Sequence, residues 1–273
     1  MKQLLLFIFL ITSILAHGQE KIDEMEQFEI KSYSPQKNGV TDLIFEARID
    51  NLTEMLTKNL VLGKLVDVSF RIYWVSPSQY RIEVQGLPKG FNEVKSDLIK
   101  LIQGKLEFVL PEKFSEKFKG YTLKAEPIAD GKLIKAIDLT YSMATPEVDI
   151  IFDKSGELKT IESKAPMSLV KTEFSHSPKA WSNNKLTLDK VTMTSSQGAA
   201  LFTTINEIDY VNINGIGFPS KITIKNISEI TVPKTEKEKE KKIKNETGTV
   251  IRFTKYEVNT GKAMKYTSEG SKR

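Results

Sequence analysis

His176 is the first residue to examine for chemistry, because imidazole is the side chain that most often serves as a general acid or base. The chain contains two histidines, and the other one, His17, lies in an N-terminal segment that we expect to be removed. A Ser-His-acid triad or a multi-histidine metal site would therefore depend on His176, and no G-x-S-x-G elbow supplies a nucleophile. We interpret His176 as a loop or strand-end residue.

Metal and phosphate sites have equally little support. The chain has no cysteine, and zinc sites require clustered His and Cys side chains. Residues 153–157 suggest a calcium loop but lack its alternating acidic ligands, and they lie where a hairpin turn is needed. Residues 214–217, Asn-Gly-Ile-Gly, lack the Lys-Ser/Thr end of a P-loop. We therefore expect no metal and no cofactor.

Composition also bears on the class of protein. The 35 acidic residues always offer candidate pairs for glycosidase chemistry, but no spacing marks one pair. Apolar residues make up 40% of the chain and charged residues 27%, which is typical of a folded globular protein. The net charge of +5 comes from basic residues interleaved with acidic ones rather than from a concentrated basic patch. We predict that the protein is not an enzyme and has no nucleic-acid partner.

The N-terminus has the pattern of a secretory signal peptide. Met1-Lys2 gives a positive end, an apolar run covers 4–15, and Ala16-His17-Gly18 supplies small residues for cleavage after Gly18. A retained membrane anchor is the alternative, although the run is shorter than the ~20 residues needed to span a bilayer. Without cysteine there is no lipid-attachment site and no disulfide. We predict cleavage of 1–18 and a periplasmic protein.

The stretch 66–85 predicts the hairpin that organises the fold. Apolar residues alternate with polar ones on both sides of a turn at 75–78, which indicates two strands with one buried face. The residues on the apolar face are Val66, Val68, Phe70, Ile72, Trp74, Tyr80, Ile82 and Val84. That face needs a cover, which would be a second sheet, a helical layer or a ligand.

The clearest helix follows at 91–103. Its apolar stripe consists of Phe91, Val94, Leu98, Leu101 and Ile102, and Gly104 is placed as a C-terminal cap. A strong helix directly after a hairpin with an uncovered face indicates a helical lid. The alternative is a surface helix on a closed core, and periodicity does not separate the two.

The other elements are mostly short strands. We expect a helix within 22–31, a strand over 43–49, either a helix or a continued strand over 52–62, and irregular short strands over 105–146. Further strand signals occur at 148–152, 158–163, 168–174, 186–193, 201–210, 218–224 and 250–258. About nine to eleven strands without a βαβ rhythm predict a mainly β (α+β) domain over 19–264 with an antiparallel sheet.

Two segments lie outside this pattern. Residues 234–244 are a charge run that we interpret as a solvated loop or frayed helix bridging a hairpin, with docking of a partner as the alternative. Residues 265–273 are expected to form a disordered tail.

Three segments together resemble the LolA-like superfamily, which includes the periplasmic carriers of outer-membrane lipoproteins. They are the Y-W-x-S-P-x-x-Y-R-I-E-V hairpin at 73–84, DKSGELKTIES at 153–163 and NGIGFPSKITI at 214–224. The resemblance covers about residues 40–260. It implies an open antiparallel sheet bent into a half-barrel, with helices as a lid in the concavity and an apolar cavity that holds acyl chains.

The resemblance implies a carrier of lipoprotein or lipid acyl chains towards the outer membrane, with inner- and outer-membrane transport components as partners. The predicted lipid-binding residues are Phe70, Ile72, Trp74, Tyr80, Ile82, Val84, Val94, Leu98, Leu101 and Ile102. Ser76 stands where the best-known carriers have an Arg that ties the lid closed, and the chain is longer around 105–146 and 231–247. The alternatives are a lipid-sensing module and an envelope structural or interaction protein whose concave face is filled by its own side chains.

Overall fold

A single open sheet of twelve strands dominates the structure. The computed structural model describes residues 23–58, 65–165, 168–232 and 241–269. The strands are β1 Asp42–Ile49, β2 Ser69–Val75, β3 Gln79–Gln85, β4 Thr122–Ile128, β5 Gly131–Ile137, β6 Glu147–Asp153, β7 Leu158–Ala165, β8 Ser168–Pro178, β9 Leu186–Gln197, β10 Ala200–Ile213, β11 Ile216–Val232 and β12 Lys241–Val258. The helices are α1 Asp23–Lys31, α2 Leu52–Thr57, α3 Asn92–Gln103 and α4 Ala263–Glu269, with 3-10 helices at Gln36–Asn38, Leu106–Phe108 and Ser115–Phe118.

The sheet is antiparallel and does not close into a barrel. Its strand order is β3-β2-β1-β12-β11-β10-β9-β8-β7-β6-β5-β4, so β3 and β4 are its edges. The predicted mainly β, open antiparallel sheet is confirmed, with one strand more than the upper estimate. The helix expected within 22–31 is also present, and α2 settles the start of 52–62 as helix. Residues 60–62, for which a strand was the alternative, lie outside the described residues.

The face of the sheet that we call the inner face carries two hydrophobic clusters. The hairpin cluster lies against α2, α3 and the 3-10 helix at Leu106–Phe108, and its fully buried members are Leu43, Phe45, Ala47, Phe70, Ile72, Val109, Phe218 and Ile222. The N-terminal cluster joins α1 and the 3-10 helix at Ser115–Phe118 to strands β5–β7, through Met25, Phe28, Phe114, Phe118, Ile134, Ala136, Val148, Ile150, Phe152 and Leu158. Helices therefore cover both ends of the inner face.

Helix α4 covers part of the opposite, outer face, where sequence predicted a disordered tail. Tyr73 stacks on Tyr266 with 4.4 Å between ring centroids, and Ala263 is buried with Ile44. The buried Asp42 carboxylate accepts hydrogen bonds from the Ala263 and Gly261 amides, at 2.9 and 3.0 Å. The tail prediction is therefore wrong for residues 265–269, and 270–273 lie outside the described residues.

Two details of the predicted hairpin also change. The pattern predicts Val66 on the buried face, but Val66 lies before the start of β2 at Ser69 and is 72% exposed. Tyr73 was placed on the polar face but is buried beneath α4. The two strands do pair as the predicted hairpin, and the structure places Phe70 opposite Val84, Ile72 opposite Ile82 and Trp74 opposite Tyr80.

Part of the charge run at 234–244 belongs to a strand. Residues 241–244 belong to β12, so the loop prediction is wrong for them, and 233–240 lie outside the described residues. The charged side chains pair across the ladder, as Lys244 does with Glu229 at 3.5 Å and Lys225 with Glu246 at 2.8 Å. Such opposite-charge pairs stabilise neighbouring strands. The predicted signal peptide, 1–18, is also outside the described residues.

Candidate functional site

Helix α3 is placed on the inner face by its own amphipathic sequence. Leu98 and Ile102, one turn apart, are 6% and 1% exposed and belong to the hairpin cluster, while Val94 and Phe91 are partly buried against it. The segment before the helix contains Gly86 and Gly90 with φ of 81° and 98°, a region that glycine adopts without strain. These glycines let the chain reverse from β3 into α3.

The hairpin presents the facing half of this cluster. Phe70 and Ile72 are fully buried, Trp74 and Ile82 are nearly so, and Val84 is partly buried against the same cluster. Because these residues alternate along paired strands, they share one side of the sheet. The prediction that the hairpin face and the 91–103 helix face meet is therefore confirmed.

Two of the ten predicted lining residues do not join the cluster. Tyr80 is 43% exposed and Leu101 is 49% exposed. Tyr80 lies beside the turn on the edge strand β3, and Leu101 lies at the margin of the stripe that Leu98 and Ile102 define. Periodicity put Tyr80 on the apolar side of β3 and Leu101 at the edge of the apolar stripe of α3. It could not show that the buried surface ends before it reaches either residue.

Sequence reasoning missed much of the cluster because its other members come from distant strands. Phe45 of β1 stacks on Tyr256 of β12 at 5.3 Å, and Tyr256 stacks on Phe218 of β11 at 4.7 Å. The Tyr256 hydroxyl donates to the Pro219 carbonyl at 2.6 Å, and burial raises the pKa of Tyr256. The signal that could have identified them is that apolar residues occupy alternate positions on each of these strands. In this structure the predicted lining residues that join the cluster pack against one another and against these distant side chains.

Polar groups lie at the border of the hairpin cluster. Lys105 Nζ, just beyond the end of α3, lies 3.4 Å from Asn206 Oδ1 on β10. Ile102 and Leu106 on one side and Ile208 on the other are buried members of the cluster. This polar pair is thus adjacent to the apolar surface that α3 covers.

The segment 214–224 owes its glycines to local geometry. Asn214 and Gly215 both have positive φ, 52° and 84°, and form a two-residue turn between β10 and β11. Gly217 lies against the Trp181 ring, where a Cβ atom would come within 2.0 Å of the ring. The Gly217 amide also donates to the Tyr33 hydroxyl at 2.7 Å. These glycines serve the turn and the packing of Trp181.

The residues considered for catalysis or metal binding are engaged in structure. The His176 imidazole is buried against Phe28, with 5.6 Å between ring centroids, and its Nδ1 lies 3.3 Å from Glu157 Oε1. Asp153 Oδ1 accepts from the Ser155 and Glu157 amides, which forms the predicted turn. Burial opposes ionisation of Asp153, but its hydrogen bonds with Ser155, Glu157 and Lys159 lower its pKa to about 2.

The described residues offer no candidate metal site and no candidate membrane-crossing helix. Within the described ranges, no group of three or more His, Cys, Asp or Glu residues is arranged to hold a metal ion. Of the helices that the structure describes, none combines the length and apolar character that a membrane crossing requires.

Comparison with known proteins identifies no family. No family model matches the chain, and no curated protein matches it. Among solved structures, a similar one is the crystal structure of MucB in complex with MucA(peri), with 9% sequence identity, 92% of this chain and 97% of that chain covered, and a TM-score of 0.16. A TM-score this low supports no inference about fold or function.

Proposed function

We propose that this protein is a periplasmic carrier that binds the acyl chains of a lipid or lipoprotein between α3 and the β2–β3 hairpin, for transfer towards the outer membrane. The observation that supports the proposal is that Leu98 and Ile102 of α3 share one hydrophobic cluster with Phe70, Ile72 and Trp74 of the hairpin. An acyl chain would take the place of the helix side chains on the sheet. The resemblance to the LolA-like superfamily suggests the same ligand class.

The burial energy of an acyl chain can exceed that of the two helix side chains that it would displace. An acyl chain contributes about 0.8 kcal/mol for each buried CH₂, so a dozen methylenes give roughly 10 kcal/mol before the costs of binding. Burial of a Leu or Ile side chain contributes about 1.5–3 kcal/mol. Leu98 and Ile102 are the two buried residues of α3. Exposing these two side chains would therefore cost less free energy than burial of the acyl chain contributes.

The position of α3 favours such an exchange. Its main strand contact is with β3, which is an edge of the sheet. Moving α3 outward therefore does not require strands to separate. Ser76 takes the place of the latch Arg of the best-known carriers, and its amide donates to the Thr41 carbonyl at 2.9 Å. The closed position of α3 is then held by apolar packing rather than by that latch.

Leu98 and Leu101 give a matched test, because both lie on α3 but only Leu98 is buried. We expect Leu98→Glu to weaken binding of a fluorescent fatty-acid probe at least ten-fold, since a carboxylate would lie on the apolar surface that the acyl chain needs. Leu101→Glu should change affinity less than two-fold by the same titration. Thermal unfolding of both variants separates lost binding from lost folding. A folded Leu98→Glu variant with full affinity would contradict the proposal.

The compartment is part of the proposal and rests on the N-terminal pattern at 1–18. Cell fractionation should recover the chain from the periplasm with Gln19 as its first residue. Recovery from the inner-membrane fraction with Met1 intact would overturn this assignment.

A second candidate function is supported by the burial of the hairpin cluster. Phe45, Phe70 and Ile72 are fully buried by the protein itself, as expected of an envelope interaction protein that needs no lipid. Native mass spectrometry of protein purified from cells, before and after lipid extraction, separates the two. A carrier should lose bound mass on extraction, whereas a self-filled protein should keep one mass.

A further inference from the structure

Lys105 holds a partly desolvated positive charge at the border of the hairpin cluster. Its Nζ lies 3.4 Å from Asn206 Oδ1 and 5.7 Å from the centre of the Phe108 ring. Burial lowers the pKa of Lys105, and the nearby Glu107 carboxylate only partly opposes that effect. The ammonium group is therefore held at the apolar surface instead of extending into solvent.

The Lys105 ammonium group has hydrogen-bond donors left for an anionic partner. An ammonium group carries three N–H donors, and a single long hydrogen bond to an amide oxygen uses one. Glu107, the acidic residue nearest in sequence, pairs with Lys117 at 3.1 Å. Over the ranges that the structure describes, Lys105 makes no ion pair. A desolvated charge is stabilised when an opposite charge pairs with it.

Asn206 supplies a second donor at the same place. Its side chain is only 5% exposed on the inner face of β10, opposite Val191 and Ile224 in the neighbouring strands. Its Oδ1 faces Lys105, which leaves the Nδ2 donor on the same amide group. An ammonium and an amide together can hold the oxygens of one carboxylate or phosphate.

The inner face beyond Asn206 is neutral. The next two rows across strands β8–β12 are Thr172, Met193, Thr204, Asn226 and Thr247, and then Val170, Ser195, Phe202, Ser228 and Asn245. The outer face of the same strands instead carries ion pairs such as Lys225 with Glu246 at 2.8 Å. An anion resting on the inner face would therefore meet Lys105 without competing carboxylates in these rows.

We propose that Lys105 and Asn206 bind the anionic head of the acyl ligand, a carboxylate or a phosphate group. This inference rests on the acyl-binding function proposed above and adds the chemical class of the ligand, an anionic amphiphile. Its chain lies in the hairpin cluster, and the rest of its head lies on the neutral rows of the inner face.

The test compares a charged probe with its neutral form, using the mature chain, 11-(dansylamino)undecanoic acid and the methyl ester of that acid. Lys105→Gln should weaken binding of the acid about ten-fold, as expected for loss of a hydrogen bond to a charged group, and leave ester binding unchanged. Lys105→Arg should retain acid binding. Lys100→Gln is the matched control, because Lys100 is exposed on α3 and pairs with Asp97 at 3.4 Å.

The outcomes separate this inference from the function it rests on. If Lys105→Gln weakened binding of the acid and the ester equally, Lys105 would have a structural role and the proposed head site would be wrong. The head site would also be wrong if Lys105→Gln changed the binding of neither probe. Wild-type protein that binds neither probe would contradict the acyl-binding function itself. Thermal unfolding confirms that each variant is folded.

A competition experiment distinguishes a lipid head from a free anion. We expect lysophosphatidic acid to displace the acid probe at micromolar concentration and millimolar inorganic phosphate to leave it bound. Displacement by inorganic phosphate alone would overturn the link between the anion site and an acyl ligand.

Discussion

His176 links the N-terminal helix to the sheet through a buried imidazole. Burial lowers its pKa below the ordinary value of 6.5, although Glu157 and Asp189 act in the opposite direction. The unfolded chain therefore binds a proton at a pH where the folded chain does not, so protonation favours unfolding. We expect the free energy of unfolding to be lower at pH 5 than at pH 7.5, as measured by urea denaturation.

The control for this prediction is His176→Gln, which removes the titrating group. The variant should lose much of the difference between the two pH values and should bind the acyl probe as well as the wild type does, because we propose binding without bond making. An unchanged pH dependence would contradict the role of His176. A loss of function of about 100-fold with normal folding would indicate general acid or base catalysis instead.

Gly217 shows what residue-level sequence reading can and cannot supply. Asn214 and Gly215 are residue types that favour a two-residue hairpin turn, and in the structure both have positive φ. The need for glycine at 217 comes from the Trp181 ring, which is distant in sequence. No local pattern in the chain contains that contact.

At the scale of elements, period-two and helical patterns located β2, β3 and α3 correctly because each has an apolar face at the expected spacing. These patterns failed where a strand face is covered by a short helix that is distant in sequence. Tyr73 reads as a polar-face residue, yet α4 buries it. Helix α4 has only seven residues, too few to give a clear apolar period.

Helix α4 should contribute to stability although it lies at the end of the described chain. Ending the chain after Lys262 would expose Ile44, Tyr73 and Val75 on the outer face. At about 1.5–3 kcal/mol for each large side chain fully exposed, and allowing for partial exposure, we expect a loss of about 2–4 kcal/mol. Urea denaturation of the truncated protein measures this loss directly.

The matched control for this truncation ends the chain after Glu269, which keeps α4. That variant should be as stable as the full chain. Equal stability of both truncated proteins would show that α4 does not hold the outer face of β1 and β2.

At the scale of the whole molecule, the sequence predicted an open antiparallel sheet but underestimated the number of its strands and the length of β12. Residues 241–244 were assigned to a loop because a charge run usually marks solvated connection. In the structure they extend β12 to 18 residues, and Lys244 pairs with Glu229 of β11. Composition alone does not distinguish a charged loop from a charged strand whose partner supplies opposite charges.

The state of the space beneath α3 was beyond prediction. The hairpin face required a cover, and the sequence left open whether α3 lies over a ligand or packs directly on the hairpin. The structure shows α3 in that place, with Leu98 and Ile102 seated beside Phe70 and Ile72. We propose that this is the ligand-free position of α3, from which an acyl chain displaces it.

Photo-cross-linking tests this central claim most directly. A fatty acid with a diazirine in its acyl chain should, on irradiation with the mature protein, label peptides that contain 70–84 and 92–103, and an excess of unlabelled fatty acid should prevent the labelling. Labelling confined to the exposed inner-face strands around Met193 and Phe202, or no labelling that competitor prevents, would contradict an acyl site beneath α3.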